Sequence, residues 1–256
     1  MIWLIAANTF RETIRQRFAL LAAIVALALT AASKYFLRLD LGHDQLKFVF
    51  DFASGAMNFF GIVIAISASC SILAAESENK TVITLLSKSV NAADFAFGKA
   101  LGVCMALAIF ALAIFAAACA SLIISKADMP DGNPAYVNYA GVFAYCFVQW
   151  LKLCMCVAMS VAVCSLSRSF LFAVSVSFLC IFCAVLSEAL TGMGGSSWAA
   201  KITSYALPDF RYLESSRLMA FAPIDFKMLL NMGAYSAVYI VCALALAAWF
   251  YSRRDF

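Results

Sequence analysis

Lys152 is the residue whose type and position most directly imply chemistry in this sequence. It lies near the middle of the apolar stretch Tyr139–Cys164. An ammonium group is costly inside a membrane, so a charged residue at such a position is by default a candidate for a transport pathway. The alternative is that the membrane-spanning part begins later and the long Lys152 side chain extends to the polar interface. Both interpretations stay open at the level of sequence.

Cysteine is the second residue type that could do chemistry, since the chain has 10 Cys and 10 Met residues. Thiolates and thioethers are soft ligands that suit copper or zinc. Cys154-x-Cys156 and Cys180-x-x-Cys183 have short spacings, but no histidine or carboxylate lies in register with them. Both residue types also pack as ordinary apolar side chains. We predict no metal site and no cofactor, and copper translocation through these spans is kept as an alternative.

The common catalytic motifs are absent from the sequence. Gly98-Lys99 lacks the upstream glycine and the following hydroxyl residue of a G-x-x-x-x-G-K-[ST] phosphate loop. His43 is the one histidine, which excludes zinc-protease spacing and Ser–His pairs within the apolar stretches. No basic cluster is interleaved with exposed aromatic residues, so nucleic acid is not an expected partner. We predict that the chain is not itself an enzyme.

The composition is that of a membrane protein. Of the 256 residues, 65% are hydrophobic and 12% are charged, and the mean hydropathy is +0.94. About a quarter of the residues of a soluble domain are charged, so this chain has too little polar surface to cover a water-soluble particle. Its apolar stretches are long and unbroken, which indicates α-helices rather than the alternating strands of a barrel. The net charge of +4 favours an anionic membrane surface and the surrounding lipid bilayer as a partner.

Six apolar stretches are each near the length of about 20 residues that crosses a membrane as a helix. We predict an all-α integral membrane protein with six transmembrane helices, at Phe18–Phe36, Val49–Ala75, Ala100–Ile124, Tyr139–Cys164, Phe170–Leu186 and Leu229–Phe250. Six spans place both ends of the chain on the same side. Because the basic residues on that side lie in short segments next to the spans, we assign both termini to the cytoplasm.

Two segments outside these spans are predicted to be helical near the membrane surface. Residues 1–17 form an amphipathic helix that lies in the interface before the first span. One face of this helix carries Trp3, Ala7, Phe10 and Ile14, and the opposite face carries Asn8, Arg11, Glu12 and Arg15. Residues 191–228 are the largest segment on the outer side, and Pro208, Pro223 and scattered charges favour short helices on or dipping into that interface.

The polar interruption at residues 76–99 contains a short apolar patch, formed by Val82, Ile83, Leu85 and Leu86. Charged and polar residues flank this patch, namely Glu76, Glu78, Lys80, Thr81 and Lys88. Asn91 is a good helix N-cap, and Asp94 falls in the first turn of the helix that would follow. We predict a short helix, a break at residues 87–90 and a new helix leading into the third span. The patch would be a docking surface on the cytoplasmic side.

A G-x-x-x-G spacing begins the third span, at Gly98 and Gly102. Two glycines one turn apart leave a smooth helix surface that another helix can approach closely. The sequence does not decide whether that neighbour belongs to the same chain or to a second copy.

These features together resemble the permease subunits of ABC transporters of the type-2 exporter superfamily. The motifs that carry the resemblance are Ala7-Asn-Thr-Phe-Arg11-Glu12-x-x-Arg15-x-Arg17, Asp51-Phe-Ala-Ser-Gly-Ala, Glu76-x-x-x-Lys80-Thr81-x-x-x-Leu-Leu-Ser87-Lys88, Gly98-Lys99-x-x-Gly102, Pro208-Asp-Phe and Arg253-Arg254-Asp255-Phe256. In order and spacing they cover essentially the whole chain. The sequence departs from the family at Ser87-Lys-Ser89-Val-Asn91-Ala92, where the family usually has Ser-Lys-Pro-Val-Ser-Arg.

The resemblance implies one permease domain, residues 1–256, in a bacterial cytoplasmic (inner) membrane. Residues 1–17 would be its elbow helix, and residues 76–99 would be the coupling segment that contacts a separate ABC ATPase subunit. A second permease, identical or different, would complete the pathway, and transport would be export. The alternative class is a stand-alone channel or secondary transporter, which tends to carry carboxylates in mid-membrane.

Overall fold

Helices make up almost all of the described chain. The computed structural model describes residues 1–33, 45–78, 92–127, 138–167, 169–192 and 207–253, and no β-strand occurs among them. The helices are α1 (Ile2–Arg15), α2 (Arg17–Ala32), α3 (Gln45–Glu78), α4 (Ala92–Ala127), α5 (Tyr139–Leu166), α6 (Phe170–Gly192), α7 (Phe210–Glu214), a 3-10 helix (Ser215–Ala220) and α8 (Phe226–Ser252). The all-α prediction is confirmed for this part of the chain.

Within the described residues, each of the six predicted spans coincides with a helix, but length and composition support only four or five of them as spans. The described parts of α3, α4, α5 and α8 are each long and apolar enough to cross a membrane. Helices α1 and α2 pass the same test only together, and they are bent by 66° at Gln16. Helix α6 has 23 residues, and the part of it whose side chains are described, Phe170–Val185, is a shorter apolar segment.

Helix α5 lies at the centre of the fold. In the most apolar part of α5, 72% of the residues are buried inside the protein, whereas the corresponding share for α8 is 22%. It packs against α3, α4, α6, α7, α8 and the 3-10 helix. Large apolar side chains such as Leu21, Leu171 and Leu230 are instead exposed on the outer helices, where they would face lipid. A polar group on α5 must therefore find its partner within the protein.

Helix α1 packs through its small residues rather than through its predicted apolar face. Ala6, Thr9 and Thr13 are buried, whereas Trp3 is 71% exposed and Ile14 is also exposed. The exposed stripe would suit a membrane interface, and that placement stays a prediction. The bend after α1 is held at Gln16, whose backbone is extended and whose side-chain amide donates a 2.7 Å hydrogen bond to Ser71 Oγ on α3.

The predicted G-x-x-x-G surface packs within the chain. Helix α1 crosses α4 at Gly98 and Gly102, where Ile5, Ala6 and Thr9 approach the α4 backbone. Buried Lys99 lies 4.0 Å from Glu12 on the same face of contact. The helix that packs on Gly98 and Gly102 is therefore α1 of the same chain.

The residues predicted for ATPase coupling lie mostly beyond the described part of the chain. Glu76 and Glu78 belong to the last turn of α3, and Asp94 lies in the first turn of α4, which begins directly after Asn91. The remaining predicted residues, Lys80, Thr81, Val82, Ile83, Leu85, Leu86 and Lys88, fall outside the described ranges. Their docking role stays a prediction, and the helices that flank them are now defined.

We expect Gly102→Ala to destabilise the protein and Gly55→Ala to be harmless. A Cβ atom at Gly102 would lie 2.5 Å from Thr9 Cβ and 2.6 Å from the Ala6 carbonyl oxygen, whereas nothing lies within 4 Å of a Cβ at Gly55. Overpacking at a tight contact costs about 1–3 kcal/mol, and replacing a helical glycine by alanine gains up to about 1 kcal/mol. Thermal unfolding of both variants in one detergent measures the difference. Equal unfolding temperatures would contradict the α1–α4 packing described above.

Candidate functional site

Lys152 is fully enclosed in the middle of the central helix. Helix α5 begins at Tyr139, as predicted, so Lys152 is 13 residues along it, about 20 Å from its start at 1.5 Å per residue. The residue is only 1% exposed. The Lys152 side chain is therefore enclosed by the protein, and its role in a transport pathway stays a prediction. A buried ammonium group requires a partner of opposite charge.

The partner of Lys152 is Glu214, the last residue of the short helix α7. Lys152 Nζ lies 2.9 Å from Glu214 Oε1 and donates a hydrogen bond to it. Asn58 on α3 donates a longer hydrogen bond of 3.4 Å to the same oxygen. The ring of Phe210 lies with its centroid 5.1 Å from Nζ, close enough for a cation–π interaction. Three parts of the chain thus meet at one buried charge.

Helix α7 is held in place by hydrogen bonds at its start and by two buried side chains. At its start, Asp209 Oδ1 accepts a 3.0 Å hydrogen bond from the backbone N–H of Arg211, and the Asp209 backbone N–H donates a 2.9 Å hydrogen bond to the Tyr235 hydroxyl of α8. Phe210 and Leu213 are buried against the core. The Pro208-Asp-Phe motif noted in the sequence therefore begins the helix that carries the counter-ion.

The 3-10 helix after α7 runs back to the start of α5. The Asn138 backbone N–H donates a 3.0 Å hydrogen bond to the Ala220 carbonyl oxygen, and the Asn138 side chain donates one of 3.3 Å to that of Ala222. Gly141 is in direct contact with the Met219 carbonyl oxygen, an approach that a side chain would block. Residues 207–225 therefore lie along the first half of α5, between its start and its middle.

Two buried amide groups beside the ion pair are not fully used. Gln149 lies three residues before Lys152, on the same face of α5, and is 1% exposed. Neither polar atom of its side chain has a hydrogen-bond partner among the described residues, and the Asn58 amide oxygen likewise has none. Leaving a buried polar group unpaired costs about 1–3 kcal/mol. A molecule that bound beside these unpaired groups would remove that cost.

A second ion pair extends this cluster along α3. Arg217 of the 3-10 helix lies 3.9 Å from Asp51 near the start of α3, and both side chains are about two-fifths exposed. An exposed pair of this kind contributes only about 0–1 kcal/mol. We call the whole set the polar seam, which comprises Asp51 and Asn58 of α3, Gln149 and Lys152 of α5, and Glu214 and Arg217 of residues 207–225.

The Glu214 carboxyl belongs to a segment outside the membrane-spanning helices and is held in its ionised form. Burial by itself favours the neutral acid, but the Lys152 ammonium group, the Arg217 guanidinium and the Asn58 amide together hold the pKa of Glu214 below its usual value. The seam thus contains a true ion pair, in which one charge is enclosed and the other is 39% exposed.

A separate groove of about 610 Å³ opens beside the bend between α1 and α2. Its walls are mostly apolar and include Phe18 on α2 and Phe170 on α6. Ser67 and Ser71 of α3 contribute hydroxyl groups, and Arg17 lies at its edge. Its volume falls within the usual range for small-molecule sites. The groove and the polar seam are separate features of the described chain.

The cysteine residues do not form a recognisable metal centre. All ten are free thiols, and Cys70 on α3 and Cys164 on α5 have their sulfur atoms 3.4 Å apart. Within the described ranges, no three side chains of His, Cys, Asp or Glu come together as ligands.

We expect loss of Glu214 to destabilise the protein more than loss of Lys152. Glu214→Gln leaves an enclosed ammonium group without a counter-charge, and breaking a buried pair in this way costs about 3–5 kcal/mol. Lys152→Met leaves a carboxylate that can turn to water, at a cost of about 1 kcal/mol or less. The double variant should resemble Lys152→Met. Thermal unfolding in one detergent gives the order, and an equal loss for both single variants would show that the burial asymmetry has no energetic consequence.

Comparison with known proteins identifies the family of the chain. A search among curated proteins found no match. The family model of the ABC-2 family transporter proteins matches residues 3–256, which is nearly the entire sequence. The helical architecture agrees with that match, because several apolar helices pack around a central one. The chain is therefore a multi-pass membrane protein of the ABC-2 transporter family.

Proposed function

We propose that this protein is the permease subunit of an ATP-binding-cassette transporter, with ATP hydrolysis carried out by separate subunits. The observation that carries the proposal is the family match across residues 3–256. Two features support it. The sequence has no phosphate loop with which to bind ATP itself, and the described part of the chain consists of apolar helices.

We further propose six spans, formed by α2 to α6 and α8, with both termini in the cytoplasm of a bacterial cell. Helix α1 would then lie in the interface, with its exposed Trp3 and Leu4 directed at lipid. Helices α2 and α6 border the apolar groove.

The proposed coupling route starts in the loop that joins α3 to α4. Helix α3 carries Asn58 of the polar seam, and α4 carries the two glycines on which α1 packs. A push on residues 79–91 by an ATPase would therefore act on two long helices at once. Four apolar side chains in that loop, Val82, Ile83, Leu85 and Leu86, would form the core of the docking surface, and the charges around them would form its rim.

A pathway would require a second permease beside this one, identical or different. Exposed apolar residues on α2 and α6 flank the groove, so a second subunit placed there would close it into a passage. Export is proposed by analogy with the family.

An ion-coupled secondary transporter is the second candidate, because one observation favours it. An ammonium group enclosed among apolar helices and paired with a carboxylate, as Lys152 is with Glu214, is typical of ion and proton pathways. The two candidates differ in their energy source. Transport by the reconstituted chain alone under an ion gradient would select the secondary transporter, and transport only with an ATPase and ATP would select the permease.

The docking surface predicts the effect of a charge at its centre. Leu85→Asp should abolish co-purification of the ATPase, because a carboxylate in an apolar interface loses its hydration without gaining a partner. Lys88→Ala should weaken the complex only slightly, since exposed ion pairs contribute about 0–1 kcal/mol. Both variants are compared after checking that they insert normally. Normal insertion of Leu85→Asp with full retention of the ATPase would overturn the docking role.

The topology predicts opposite labelling of two positions, one at the start of α3 and one in the segment between α3 and α4. On a cysteine-free background, a cysteine at residue 85 should react with a membrane-impermeant reagent only from the cytoplasmic side. A cysteine at residue 45 should react only from the outside. Reaction of both positions from the same side would rule out the six-span arrangement.

A further inference from the structure

We propose that the polar seam is an anion-binding site, in which Lys152 binds a carboxylate or phosphate group and Glu214 is the resident counter-ion that this group displaces. The site follows from the geometry of the seam. Only the identification of the anion with a group of the transported molecule rests on the proposed function.

The two charges of the ion pair, Lys152 and Glu214, are unequally buried. Lys152 is enclosed on the central helix, whereas the Glu214 side chain is 39% exposed at the end of a five-residue helix. Glu214 can therefore turn away into water, but the ammonium group cannot follow it. When Glu214 leaves, the enclosed positive charge must be neutralised by another anion. A cation would instead meet Lys152 and Arg217.

Hydrogen-bonding capacity is unused on Gln149, three residues before Lys152 on α5, and on Asn58 of α3. Gln149 is buried with its whole side-chain amide unpaired, and the Asn58 amide makes only a long hydrogen bond to Glu214. An ion pair whose sole task was to fix α7 would be expected to satisfy the polar groups around it, because unpaired groups are costly. A carboxylate or phosphate has several acceptor oxygens and can use Lys152 and an amide N–H together.

The apolar side chains around Lys152 would strengthen the binding of an anion. Phe210 covers one side of the ammonium group at 5.1 Å, and Leu213 beside it is fully buried. Charge interactions are several times stronger in such a water-poor site than in water. Arrival of an anion would release Glu214 and with it one of the contacts that hold residues 207–225 on α5. Binding would thus be linked to movement of that segment.

The test is a titration of the purified chain in detergent, without any ATPase, by inorganic phosphate and by acetate. The readout is the unfolding temperature. Glu214→Gln should be stabilised at an anion concentration about tenfold lower than the wild type, because displacing the carboxylate no longer opposes binding and about 1.4 kcal/mol corresponds to tenfold. Lys152→Met should show no specific response. Glu214→Asp keeps the charge on a shorter side chain, should fold, and should respond at an intermediate concentration.

Lys126→Met is the matched control, because Lys126 is an exposed lysine at the end of α4. Its response to each salt gives the general salt effect. Repeating the titration with an anionic lipid, phosphatidylglycerol, in mixed micelles separates a membrane-derived anion from a water-soluble one. If Glu214→Gln and Glu214→Asp respond no more than Lys126→Met to any probe, the seam is only an internal contact and the proposal fails. Because no ATPase is present, that result would leave the permease assignment untouched.

Discussion

The enclosed ammonium group of Lys152 is the constraint on which the rest of the site depends. Helix α5 is surrounded by other helices, so neither water nor lipid can stabilise the charge. A carboxylate must therefore be brought to it by another part of the chain. Residues 207–225 do this by folding back along α5. Their approach depends on a helix cap at Asp209, on the hydrogen bonds of Asn138 and on the lack of a side chain at Gly141. One charge thus explains why a loop between two apolar helices enters the protein.

Small residues provide the second constraint, at the contact between α1 and α4. Glycine on α4 and alanine or threonine on α1 let the two backbones come close, which favours packing without any contribution from large side chains. Residues 79–91 connect α3 to α4. Helix α3 contributes Asn58 to the polar seam, and α4 packs against α1. For a member of the ABC-2 transporter family, this arrangement links the proposed site of ATPase contact to both a surface helix and a buried charge.

The sequence predicted the position of every long helix because a stretch of about 20 apolar residues has few alternatives in a membrane. Tyr139 was predicted as a helix start and is one, and Lys152 was noticed because a charge in such a stretch is costly. Glu214 was missed because it is 62 residues away and lies in a segment whose charges looked ordinary. The buried face of α1 was also missed, since the pattern of Trp3 to Ile14 describes exposure to a membrane interface rather than packing on glycines. Gln149 could have been noticed, as a polar residue one turn from Lys152.

Glu214 neutralises the charge of Lys152, and reversing both charges tests this pairing most directly. Lys152→Glu alone places two carboxylates together and should lower the unfolding temperature of the purified protein strongly. Adding Glu214→Lys restores opposite charges at the same two positions, so the combined variant should recover most of that loss. If the combined variant is no more stable than Lys152→Glu alone, Lys152 and Glu214 do not form an ion pair in the polar seam.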